Sequence, residues 1–450
     1  MSTENILTPS ASISLKRRGT PFFSIGFWMV LVILTMPVRE VTLWQVGAAH
    51  GRIGDMVLLF VVGVWFAESC LRGQVFTTKN WLDGAVLMFL LFYMLSIVWA
   101  DNPEGGWLRL LKLARNGVLY LLLTDYLTRD FQTRYRRITG CLVITGLLQA
   151  AAYLFSIHQY GGLGAVRALF QEESLLSNNP LLSVVRSDQG GGVFLRGAAS
   201  WLPLCMFMWF SLRPAIRSHL VAGAGWALFA AMGILTFVSG TRAAWIGLVF
   251  GWLVILALSK QFMGKRIGVA SVLIGAVVVA WYSGVGGLVR ARFAPDMLTS
   301  DPAIEERLLF FGITIARFID SPIVGAGVAS IVSDEFLIVH NVYLQVLGEL
   351  GVIGETVLLW IIWLWMLYLL RARVTLNQRN DPWGGRIAVS MLGASVFFLV
   401  YFTVGHDLGS AEPWILMAMA SALHNSTRTT RSSREALPVY NGIHRGAMQT

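Results

Sequence analysis

Residues 339–370 read VHNVYLQVLGELGVIGETVLLWIIWLWMLYLL. The stretch closes a long polar loop at His340 and Asn341 and opens a long apolar run that ends before Arg371. A run of about 20 apolar residues is long enough to cross a bilayer as a helix. Similar runs recur through the chain, so it reads as an all-α polytopic membrane protein. The runs are continuous and lack period-two alternation, which argues against a transmembrane β-barrel.

Composition agrees. Of 450 residues, 56% are hydrophobic and 13% charged, with a mean hydropathy of +0.64; soluble domains carry about 25% charged residues. The formal net charge is +10. In a soluble chain that would point to nucleic acid; here it reads as topogenic Lys and Arg in cytoplasmic loops. Cys70, Cys141 and Cys205 lie in or beside apolar runs without metal-type spacing. They read as packing residues, neither a disulfide framework nor a zinc site. Lys16, Arg17 and Arg18 precede a run that reads as a retained first span, with no cleavable signal peptide evident.

Twelve spans are expected, at 22–38, 54–70, 81–100, 107–124, 136–156, 193–211, 219–238, 241–259, 266–283, 343–370, 385–404 and 411–424. Residues 1–21 then form a cytoplasmic tail, 22–283 the first nine helices, 284–342 a large periplasmic loop, 343–424 the last three helices, and 425–450 a cytoplasmic basic tail. With the N-terminus inside, Arg129, Arg134, Arg136, Arg137, Arg213, Arg217, Lys260, Lys265, Arg371, Arg373, Arg379 and Arg386 all fall in inside loops. That is a consistent positive-inside pattern. Two long loops, 157–192 and 284–342, are left outside. Loops of that length are uncommon unless functional or disordered. The second is expected to hold an amphipathic helix starting at Pro302, with Ile304, Leu308, Phe311 and Ile315 at helical spacing. Ser321-Pro322, Gly325 and Gly327 supply turn chemistry after it.

Function in a membrane protein shows where polar groups are kept at apolar depth. Arg242, in Ser239-Gly240-Thr241-Arg242, is a snorkelling helix anchor or an anion-binding arginine. Arg186 and Arg196 flank Gly190-Gly191-Gly192, a flexible loop or a close approach to a ligand, without the Gly-Lys-Ser/Thr of a phosphate-binding loop. Arg307, in Glu305-Glu306-Arg307, belongs to a solvated face or to a site shared with His340. A lone interfacial histidine is more often structural, but His340 is followed by Asn341, Tyr343, Gln345 and Glu349, with Gly348, Gly351 and Gly354 allowing close helix packing. Arginine offers a planar, permanently charged fork for phosphate oxygens. Histidine is the natural proton acceptor near neutral pH, and neighbouring cations favour its neutral form. Together they suit departure of a diphosphate from a sugar: cations on the leaving charge, a base on the incoming hydroxyl. No acidic cluster or His-x-x-x-His calls for a metal, so no metal or other cofactor is expected. No Gly-x-Ser-x-Gly elbow is present, and few acidic residues lie in mid-span as ion transport would require.

His340-Asn341-x-x-Leu344-x-x-Leu347-x-x-x-Gly351-x-x-Gly354 resembles the signature of the O-antigen ligase and polymerase superfamily. Glu306-Arg307, Ser321-Pro322-Ile323-Val324-Gly325-Ala326-Gly327 and Ser239-Gly240-Thr241-Arg242 are similar to other segments of that family, so the resemblance spans roughly residues 190–405. It implies a glycosyltransferase-C-like fold in the bacterial inner membrane, with a site on the periplasmic side. It implies a glycan donor on undecaprenyl diphosphate and, for the ligase branch, lipid A–core as acceptor. His340 would be the general base, and Arg242, Arg307 and Arg196 or Arg186 would hold the diphosphate. The implied chemistry is metal-independent and inverting. A polymerase joining O-units is the nearest alternative, and a lipid-linked glycan transporter is the alternative of another class. The short basic tail disfavours a protein-glycosylating branch.

Overall fold

The computed structural model describes residues 25–35, 42–46, 49–71, 80–159, 198–238, 241–259, 302–331, 339, 341–403 and 408–435. Its helices are α1 (Ile25–Thr35), α2 (Ile53–Leu71), α3 (Trp81–Leu95, prolonged by a 3-10 turn, Ser96–Trp99), α4 (Pro103–Arg129), α5 (Phe131–Gln159) and α6 (Ala198–Leu212). They continue with α7 (His219–Val238), α8 (Arg242–Leu258), α9 (Pro302–Asp320), α10 (Val342–Gln378), α11 (Pro382–Tyr401) and α12 (Glu412–Glu435). A helix stands at eleven of the twelve expected spans; the twelfth, 266–283, lies outside the described residues. Four segments are long and apolar enough to cross a membrane: Trp81–Trp99, His219–Thr236, Val342–Gln378 and Pro382–Tyr401. The chain is a multi-pass helical membrane protein.

One departure from an all-α chain is a two-stranded antiparallel hairpin, β1 (Thr42–Val46) and β2 (Ala49–Arg52), which pairs Val46 with Ala49 and runs into α2. Its pairing is local, which periodicity over long apolar runs does not reveal. Helix α12 also runs to Glu435, eleven residues past the expected end of its span, into the stretch read as a tail. Cys141 and Cys205 are buried as expected of packing residues, whereas Cys70 is exposed.

Local chemistry sets the helix starts. Asn80 and Asp83 form a reciprocal capping box on α3. Asn102 caps α4 and Asp381 caps α11, each followed by a proline that has no amide hydrogen to lose.

Hydrogen bonds between helix ends fix the bundle's polarity. At one end the starts of α2, α4, α6, α8, α10 and α12 meet the ends of α7 and α11. Arg115 Nη1 bonds Asp55 Oδ1 at 2.8 Å, Ser200 Oγ donates to Glu412 Oε1 at 2.6 Å, Val342 N donates to Phe402 O at 3.0 Å, and Trp245 Nε1 donates to Thr236 O at 3.3 Å. At the opposite end Arg373 donates to Leu258 O, Arg379 to Thr427 O, and Trp383 to Ser211 O. Arg129, Arg134, Arg136 and Arg386 are at that second end too, on Asp125 and on the rings of Tyr126, Trp383 and Phe210. The arginines counted as inside therefore gather at one end of the bundle, and the polar groups described below at the other.

Helices α8 and α11 run antiparallel in close contact, because glycines leave no side chain between them. A Cβ on Gly247 would meet Phe397 O at 2.9 Å, and one on Gly251 would meet Gly393 O at 2.6 Å. Each step back along α8 matches one forward along α11, which puts Arg242 level with Phe402.

Candidate functional site

The site is built where α10 begins. Asn341 caps this helix, its side chain accepting from Leu344 N at 3.0 Å. One residue on, Val342 N bonds Phe402 O, and Tyr343 Oη donates to Leu399 O at 3.2 Å, tying α10 to the last turn of α11. Val339 is buried in a small cluster with Phe310 and Ile331. His340, between Val339 and Asn341 in sequence, lies outside the described residues, as do Arg186 and Arg196.

Nine residues into α10 the helix breaks. Gly351 has φ 63° and ψ −165°, a conformation open essentially only to glycine. A break inside a span leaves backbone groups without partners, and such breaks persist only where protein covers them. Here the segment after α9 supplies the partners. Ala326 N donates to Gly348 O at 3.0 Å and Gly327 N to Glu349 O at 2.9 Å, while Val352 N donates to Pro322 O at 2.9 Å and Ile353 N to Ile323 O at 3.3 Å. The two chains lie so close that a Cβ on Gly351 would fall 2.4 Å from Ile323 O, and one on Gly325 2.4 Å from Glu349 O. Gly325 (φ 74°) and Gly327 (φ 91°) also need positive φ to make the turn. This corrects the reading of the α10 glycines as a helix-packing series. Only Gly348 has that role, facing Ile331 and Thr314; Gly351 is the break itself, and Gly354 faces Leu350 of its own helix.

Beside the break, Glu349 is 1% exposed and forms a salt bridge with Arg109 Nη1 of α4; Gln345 Nε2 donates to its other oxygen at 3.4 Å. The pair joins the first half of α10 to α4. Removing one partner leaves a charge desolvated and alone, which costs about 3–5 kcal/mol for a fully buried pair. Arg109 retains some solvent (23% side-chain exposure), so Glu349→Ala is expected to cost roughly 2–3 kcal/mol in chemical denaturation of the detergent-solubilised protein, and Glu349→Gln less.

Helix α9 forms as expected from Pro302 and packs on α10, but by a different face. Phe310 and Thr314 are the buried side chains, with Arg307 and Phe311 half-buried, while Leu308 is 61% and Ile315 49% exposed. The side chain of Ile304 lies outside the described residues. Leu308, Ile315 and Ile319 thus make an outward apolar face, because the contact with α10 is made through Thr314 against Gly348.

Two candidate arginines are described. Arg242 is the first residue of α8 and half-buried, level with the end of α11 by the register above. Arg307 is half-buried on α9, the helix that packs on α10. The last turn of α11, Leu399–Phe402, is thus the common neighbour of Arg242 and the start of α10.

Sequence reasoning passed over several polar residues at this end. Arg109 sits early and Arg115 midway in the span expected at 107–124, and charged residues inside a span were the available signal. Arg115 bonds Asp55, Asn116 and Gly409 O, and Asn116 donates to Ser410 O at 3.2 Å. Glu412 is buried at the start of α12 on Ser200.

Residues 227–359 match the family model described as O-antigen ligase. The match runs from within α7 to within α10 and so takes in Arg242, Arg307, His340, Gly325, Gly327 and Gly351. No curated protein matches the chain. The matched region and the signature carried by the broken helix agree, and this part of the chain, under a third of its length, is similar to the O-antigen ligase family.

Proposed function

We propose that the protein is an O-antigen ligase: a bacterial inner-membrane glycosyltransferase that moves O-antigen from undecaprenyl diphosphate to a sugar hydroxyl of lipid A–core on the periplasmic side. The observation that carries this reading is the meeting of Arg242 and the start of α10 at the last turn of α11, with Arg307 on the helix packed against α10. Arg242 and Arg307 would hold the diphosphate, their planar forks matching its oxygens and the charge that grows as the glycosidic bond breaks. Either Arg186 or Arg196 would add a further cation. His340 would accept the proton of the attacking hydroxyl. These groups suffice for a metal-independent, inverting displacement, in which the hydroxyl attacks the anomeric carbon opposite the departing diphosphate. The outward face of α9 (Leu308, Ile315, Ile319) suits the lipid interface beside which a polyprenyl donor would enter.

The polymerase reading shares this chemistry and the same family match. Expression in a ligase-null strain separates the two. A ligase restores long O-antigen on the core; if the core stays bare with the protein correctly inserted, the ligase assignment fails. A polymerase instead restores chain length in a polymerase-null strain, where single units are already attached. Purified protein forming product from lipid-linked donor and lipid A–core excludes pure transport.

A further inference from the structure

Glu412 is a carboxylate that the reaction above does not use. It lies in the first turn of α12 and is 2% exposed. Its Oε1 accepts from Ser200 Oγ at 2.6 Å, tying α12 to α6. Its Oε2 is buried with no hydrogen-bond partner among the described residues. A tether between helices needs only the first oxygen, and a buried acceptor without a donor is costly, most of all when charged. The start of α12 favours negative charge through the helix dipole, but that supplies Oε2 with no donor.

The neighbours say what the donor would be. Glu412 begins α12 at the end of the bundle where α11 ends and α10 begins, the end that also holds Arg242 of the candidate diphosphate site. A carboxylate repels phosphate oxygens and accepts from hydroxyls. Beside the diphosphate of a lipid-linked glycan, or across the reacting bond from it, the hydroxyl-bearing group is a sugar ring. We propose that Glu412 Oε2 accepts a hydrogen bond from a sugar hydroxyl of the glycan substrates, forming a subsite next to the diphosphate site. This rests on the function proposed above. A site built to pair with a hydroxyl discriminates strongly against a ligand that lacks it.

The test uses full-length protein in nanodiscs and three probes: undecaprenyl diphosphate carrying O-antigen, undecaprenyl diphosphate alone, and lipid A–core. Glu412→Gln keeps an oxygen for Ser200 and removes the charge. It is expected to weaken binding of a glycan probe by roughly 10- to 100-fold, the range for a hydrogen bond to a charged group, and to leave undecaprenyl diphosphate bound as well or better. A loss confined to the lipid-linked glycan assigns the hydroxyl to the donor; a loss confined to lipid A–core assigns it to the acceptor. Ser200→Ala removes the tether, keeps the charge, and is expected to retain wild-type binding of the glycan probes. The proposal is overturned if a normally melting Glu412→Gln binds all three probes like wild type. It is equally overturned if sugar-free undecaprenyl diphosphate loses affinity in parallel, or if Ser200→Ala reproduces the loss. Should Glu412→Gln fail to fold, a wild type that binds neither glycan probe more tightly than sugar-free undecaprenyl diphosphate also overturns it. Because these are binding readouts, a wild type that shows the sugar preference yet transfers nothing removes the transferase reading alone.

Discussion

Replacing His340 with alanine is expected to lower glycan transfer by about 10²–10⁴-fold, the usual cost of losing a general base. The residue follows a buried anchor, Val339, and precedes the cap of α10, Asn341. Helix start and core contact are therefore made by its neighbours, and His340→Ala should insert and melt like wild type. Binding of the lipid-linked donor should be unchanged, since the diphosphate is assigned to arginines. Arg307→Ala should behave differently, weakening donor binding by roughly 10- to 100-fold through loss of charge-assisted hydrogen bonds. The measurement is single-turnover transfer from lipid-linked glycan to lipid A–core, alongside donor binding. If His340→Ala transfers within about tenfold of wild type, the assignment of the base is wrong.

The largest structural effect is expected at Gly351. A non-glycine residue at φ 63° and ψ −165° is strained by about 1–3 kcal/mol. A new Cβ would also press within 2.4 Å of Ile323 O, and relieving that contact pulls the loop away from its hydrogen bonds at Val352 and Ile353. Together these should make Gly351→Ala less stable by about 3 kcal/mol or more. Transfer should fall as well, because this junction fixes the half-helix that starts at Val342 to the segment after α9. Gly312 is the matched control. It is exposed on α9, and a Cβ there meets nothing within 4 Å, so Gly312→Ala should be neutral or stabilise by about 0.5–1 kcal/mol. Equal melting of Gly351→Ala and wild type would contradict the broken-helix account.

Much of the architecture was legible because bilayer-spanning helices advertise themselves. Each satisfies its own backbone hydrogen bonds, so length and apolarity mark it without reference to its neighbours. That is why helices stand at eleven expected spans and why the arginines of the expected inside loops gather at one end. What was illegible depended on a partner far away in the chain. The series Gly348, Gly351, Gly354 looks like a packing face, yet Gly351 is an unwound point stabilised by residues 322–327. The apolar spacing of α9 was correct as a helix signal, but which face it buries was decided by Thr314 meeting Gly348.

The candidate site divides in the same way. Arg242, Arg307 and His340 could be singled out because each is a polar residue where apolar or loop sequence is expected, and the signature around His340 carried a family resemblance that the match at residues 227–359 supports. Arg109 and Glu412 could not be joined to them from the sequence, being hundreds of residues from some of their partners: Arg109 from Glu349, Ser200 from Glu412.

The sequence alone thus determined the helical membrane class, the grouping of charge toward one end, and the polar residues worth watching, since each follows from local transfer free energies. Only the tertiary structure decided that the stretch beginning at His340 leads into a broken helix, that the segment after α9 completes its hydrogen bonds, and that Arg242 and the start of α10 share the last turn of α11. Those facts follow from backbone groups and charges that must find partners across the fold, and no local pattern in the chain records which partners they find.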